Sequence, residues 1–106
     1  GRASEDAIRS LIVSNRLVGT KEWLVIHHTG CGIENMTNEK MAALANEINA
    51  TSEGDFINWL TIGDRIESIR QDVKRLREHP LTPSDVTVTG FIYDIKTGLL
   101  TEVSCD

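Results

Sequence analysis

Three histidines and two cysteines are the residues of this chain best suited to metal or nucleophilic chemistry, and three of them, His27, His28 and Cys31, fall within five residues. His28 and Cys31 are separated by two residues, and Cys31 is flanked by Gly30 and Gly32. Imidazole nitrogen and thiolate sulfur are donors that zinc favours, and zinc sites need three or four ligands. The pair therefore offers half a metal site, and a buried structural Cys beside an unrelated His is an equally open reading of the spacing alone. The remaining candidates are weaker. His27 should face the opposite side of a strand from His28. His79 precedes Pro80 at a helix end, where a partly positive group suits the helix dipole. Cys105 falls in a C-terminal tail, where a free thiol without a role is the simpler reading.

These donors follow Trp23-Leu24-Val25-Ile26, an unbroken apolar run that predicts a strand buried on both faces, as in a parallel sheet. Ligand-binding groups in open α/β sheets gather beyond the carboxyl ends of such strands, which is where His28 and Cys31 stand.

The other elements are read from capping and periodicity. Ser4 is a good N-cap, Glu5 and Asp6 suit a first turn, and Ile8, Leu11 and Ile12 recur at helical spacing. Gly19 then ends a helix over 4–18. The strand follows over 22–27. Thr37 caps a second helix with Met41, Leu44, Ala45 and Ile48 on one face. Phe56, Ile57, Trp59 and Leu60 have no period and are expected as an irregular segment packed on the core. Asp64 and Glu67 resemble a capping box, and Ile66, Ile69, Val73 and Leu76 give the next helix its apolar face. Arg65, Arg70, Asp72, Lys74 and Arg75 are expected on its solvated face. Pro80 stops it. Residues 86–95 predict a second long strand, and a turn at Lys96-Thr97-Gly98 returns the chain as a short strand over 99–103.

Helices between strands argue for a mainly parallel α/β sheet flanked by helices, with only the last pair close enough to be antiparallel. At 106 residues the chain is a single domain, 1–106, or part of one. A helix opening directly after Gly1-Arg2-Ala3 looks like the later part of a larger unit and predicts apolar surface left for another chain or a missing segment. A net charge of −5 without a basic cluster gives no footprint for nucleic acid or an anionic membrane. No apolar run reaches the roughly 20 residues of a membrane span. Two cysteines are too few for a disulfide framework, so a reducing, cytoplasmic setting is expected. Neither a nucleophile elbow nor a phosphate-binding glycine loop is present.

Several segments, in order, resemble the β-class carbonic anhydrases. Residues 1–11, GRASEDAIRSL, resemble the helix after that family's glycine loop. Residues 25–32, VIHHTGCG, resemble its second zinc motif, His-x-x-Cys-Gly, and residues 73–80 and 88–98 follow its closing pattern. The resemblance covers essentially the whole chain. It implies that His28 and Cys31 are Zn2+ ligands, that Gly32 lies against substrate, and that the protein is a homo-oligomer, dimer or tetramer. It further implies reversible hydration of carbon dioxide to bicarbonate by water whose pKa zinc lowers to roughly 7. Relatives with these motifs hydrolyse carbonyl sulfide or carbon disulfide instead. The family's first motif, Cys-x-Asp-x-Arg, is not in this sequence, and Gly30 stands where bacterial relatives often carry Asp. The chain alone is therefore expected to bind zinc weakly and to turn over little or not at all. A truncated, non-catalytic interaction module is the alternative from a different functional class.

Overall fold

A computed structural model describes all residues, Gly1–Asp106. The element order is α1 (Glu5–Val18), β1 (Glu22–His28), α2 (Asn38–Asn46), a 3-10 turn (Glu53–Phe56), α3 (Arg65–Glu78), β2 (Thr87–Tyr93) and β3 (Leu100–Val103). The strands form one mixed sheet in the order β1-β2-β3. β1 and β2 are parallel, with Trp23 opposite Val88 and His28 opposite Tyr93, and β2 and β3 are antiparallel, with Gly90 opposite Val103.

The helix signals have their expected physical causes. The Ser4 hydroxyl accepts from the Ala7 amide at 3.2 Å, and Gly19 closes α1 in the left-handed region at φ 75°. Thr37 caps α2, and Asp64 caps α3 by accepting from the Glu67 amide at 2.8 Å. The hairpin turn is held by Asp94 Oδ1, which accepts from the amides of Lys96 and Thr97.

One core unites α1, α3 and one face of the sheet: Ala3, Ile8, Trp23, Val25, Ile69, Val73, Leu76, Val88 and Val103. Gly90 lets α3 approach the sheet. A Cβ built there would stand 2.3 Å from Ile69 Cγ2.

Four expectations need correction. β1 is not buried on both faces: Trp23, Val25 and His27 are buried, whereas Leu24 and Ile26 are 53% and 41% exposed. The helices that bury the first face leave the second without a covering layer. α2 packs chiefly against the 3-10 turn, not the core. Its one buried residue is Ala42, while Leu44 and Ile48 are exposed, and Ile48 lies beyond the helix. Phe56 is 82% exposed, so the segment around it is not packed on the core; Trp59 instead donates from its indole nitrogen to the Gly54 carbonyl at 3.0 Å. Asp72 is not on the solvated face of α3; it is buried.

The radius of gyration is 15.6 Å, against about 13 Å for a compact domain of this length. The accessible surface of 7090 Å² likewise exceeds the about 5,900 Å² of a self-contained monomer of this mass. No helix is long and apolar enough to cross a membrane.

Candidate metal centre

His28 is the last residue of β1 and belongs to the strand's exposed face, opposite in sense to buried His27. Its Nδ1 lies 2.8 Å from the carbonyl oxygen of Thr29. A carbonyl only accepts, so Nδ1 carries a proton, and in the neutral ring the lone pair falls to Nε2, the form in which imidazole binds metal. Such a hydrogen bond on the far nitrogen is the usual way a metal-binding His is oriented.

The turn after His28 is laced to the end of β2. The Thr29 amide donates to the Tyr93 carbonyl at 3.0 Å, and the Thr29 hydroxyl accepts from the Ile95 amide at 3.1 Å. Gly30 follows at φ 65°, a conformation that glycine adopts without strain. Cys31 is then half-buried, its thiol free, and its carbonyl accepts from the Glu34 amide at 3.1 Å. Gly32 is exposed, and a Cβ placed on it would meet nothing within 4 Å.

The donor chemistry of His28 and Cys31 suits zinc, but the number of donors does not. No group of three or more His, Cys, Asp or Glu side chains is placed to hold a metal. Catalytic zinc takes three protein ligands and keeps one position open. Neither His79 nor Cys105 adds a donor. His79 Nδ1 accepts from the Leu81 amide, capping the turn after α3. Cys105 is not in a free tail: it is half-buried against the core and donates to the Val103 carbonyl. A cleft of about 440 Å³ beside it is lined by Arg70, Lys74 and Arg77, away from His28.

Behind the strand end lies a charged cluster that sequence spacing did not reveal. Asp72 Oδ2 accepts from Arg2 Nε at 2.9 Å and from His27 Nε2 at 3.3 Å. Burial pushes the Asp72 carboxyl up, but the His27 hydrogen bond and the Arg2 charge outweigh it and hold its pKa below the ordinary 3.8. A signal for its burial existed, since Asp72 is three residues from Ile69 and four from Leu76, both on the apolar face.

A parallel strand pair with a His-x-x-Cys pair just beyond the carboxyl end of one strand defines an α/β chain whose candidate site lies where such sheets bind ligands. Comparison narrows the class. β-Carbonic anhydrase 1 of Mycobacterium tuberculosis is 32% identical over 103 residues, covering 95% of this chain and 61% of the relative. A carbon disulfide hydrolase of an Acidianus species is 33% identical, covering 92% of this chain and 58% of that protein. The crystal structure of a carbonic anhydrase from Streptococcus mutans superposes with a TM-score of 0.89 at 39% identity, over 97% of this chain and 61% of that one. No family model matches the sequence. The chain belongs to the β-carbonic anhydrase family. It spans about three fifths of the length of the relatives it matches.

Proposed function

We propose that this chain is the His-x-x-Cys portion of a zinc enzyme that interconverts carbon dioxide and bicarbonate. The observation that carries the reading is the His28–Cys31 pair at the end of β1, with His28 Nδ1 engaged by Thr29 and Nε2 left as a donor. The relatives named carbonic anhydrase support the substrate.

In this reading His28 and Cys31 hold zinc together with at least one further ligand that these 106 residues do not supply. Zinc's contribution, when bound, is Lewis acidity that lets water ionise near neutral pH. The chain's own part is orientation. Thr29 fixes the His28 ring, the Thr29 contacts to Tyr93 and Ile95 hold the turn against β2, and Gly30 lets the backbone reverse before Cys31. Gly32, exposed beside Cys31, is the residue this reading sets against the substrate.

The reading extends to assembly. Exposed Leu24 and Ile26 and the surplus surface support association with further polypeptide, a second copy of the chain or an additional segment.

Carbon disulfide hydrolysis is the second reading, supported by the Acidianus relative. The test is to express the whole reading frame that encodes this sequence and measure both reactions: carbon dioxide hydration by stopped-flow pH change, and hydrogen sulfide release from carbon disulfide. Hydration that collapses in His28→Ala supports the first reading. Sulfide release without hydration selects the second, and an inert, zinc-free protein defeats both in favour of an interaction module.

A further inference from the structure

A single carboxylate oxygen gathers distant parts of the chain behind the candidate metal centre. Asp72 Oδ2, on α3, takes Arg2 Nε from the first residues and His27 Nε2 from the end of β1. Asp72 is 2% exposed and His27 1%, so both are inside the fold. Arg2 reaches further: its second nitrogen donates to the Thr61 carbonyl at 2.6 Å. Thr61 adjoins Ile62, whose amide donates to the Ile33 carbonyl at 3.2 Å and whose carbonyl accepts from the Asn35 amide.

These contacts grip the His28–Cys31 turn from both sides. On one side Asp72 holds His27, the residue before His28. On the other, Asp72 holds Arg2, Arg2 holds Thr61, and the neighbouring Ile62 pairs with Ile33, two residues past Cys31.

Stability alone is a poor reason for this arrangement. A buried ion pair roughly breaks even against apolar packing of the same volume. His27 also leaves Nδ1 buried with no hydrogen-bond partner. We propose that Asp72, acting through His27 and Arg2, is a positioning residue that fixes the placement of His28 relative to Cys31. The value of that placement for a metal rests on the zinc reading above.

The test uses the 106-residue chain with two readouts, one of them independent of metal. In the metal-free chain, Asp72→Asn and His27→Leu are expected to shift the amide resonances of residues 28–33, while far-UV circular dichroism stays native. With cobalt(II) as a spectroscopic substitute for zinc, the same variants should weaken the thiolate-to-cobalt absorption titration about 10- to 100-fold, as loss of a metal site's outer contacts does. His27→Gln keeps an N–H donor for Asp72 and should retain affinity to within about threefold of the wild-type chain. If Asp72→Asn unfolds the chain, Arg2→Met at the accessible edge of the cluster carries the same prediction for residues 31–35. Unmoved amides in folded Asp72→Asn and His27→Leu overturn the proposal. Amides that move while the product of the whole reading frame gives no thiolate-to-cobalt band uphold the positioning role and defeat the zinc reading instead.

Discussion

His28 donates a hydrogen bond from Nδ1 to the carbonyl of Thr29, the residue that follows it, at 2.8 Å. The contact fixes the tautomer of an exposed ring and, in its neutral form, leaves the lone pair on Nε2. At mildly alkaline pH, nitrogen-15 NMR should show His28 protonated on Nδ1 and bare on Nε2. Added cobalt(II) or zinc should perturb Nε2 first. A ring protonated on Nε2 contradicts the assignment.

The same geometry depends on α3 lying close against the sheet. A Cβ on Gly90 would stand 2.3 Å from Ile69 Cγ2, 3.2 Å from Val73 Cγ2 and 3.3 Å from Cys105 Sγ. Gly90→Ala should therefore destabilise the fold by about 1–3 kcal/mol, the usual cost of overpacking. Urea unfolding measures it as a lower midpoint at unchanged slope. An unshifted midpoint means that α3 moves away without cost.

The start of α3 offers a second stability test. Asp64 accepts from the Glu67 amide at 2.8 Å, satisfying a donor that the helix cannot use internally. Asp64→Ala should cost about 1 kcal/mol by the same urea measurement, whereas Asp64→Ser should recover most of that loss. Equal stability of all three proteins refutes the capping role.

Acid stability should depend on Asp72. Its folded pKa is held below 3.8 by His27 and Arg2 in spite of burial, and the unfolded carboxyl titrates near the ordinary value. A depressed folded pKa contributes stability that is fully present above about pH 4 and is lost as pH falls through the folded value. Asp72→Asn should remove that contribution, so its stability falls less steeply than wild type below about pH 4. Equal slopes for the two proteins in acid urea titrations contradict the assignment.

The helices and the closeness of His28 to Cys31 were legible because both depend on local chemistry. Ser4, Gly19 and Asp64 cap helices through atoms a few residues away, and His28 and Cys31 share one turn. What failed depended on distant partners. Asp72 read as solvated because neither Arg2 nor His27 is near it in the chain, although its spacing from Ile69 and Leu76 places it on the apolar face. The run from Trp23 to Ile26 predicts two covered faces, and only the face of Trp23 and Val25 has helices against it. Aromatics commonly anchor a core, but Phe56 ends the 3-10 turn that packs on α2 and is left exposed. Cys105 looked like a loose end because the expected return strand stops at 103 and nothing local shows that the residues after it pack beside Gly90.

The most direct test of the account is zinc equilibrium dialysis with elemental analysis of the 106-residue chain and its His28→Ala and Cys31→Ser variants, paired with a carbon dioxide hydration assay. The wild-type chain should bind zinc weakly and below one equivalent, each variant should lose most of that binding, and none should hydrate carbon dioxide efficiently. Tight, stoichiometric zinc with rapid hydration by this chain alone, or zinc binding unchanged in both variants, contradicts the assignment of His28 and Cys31 as half of the metal site.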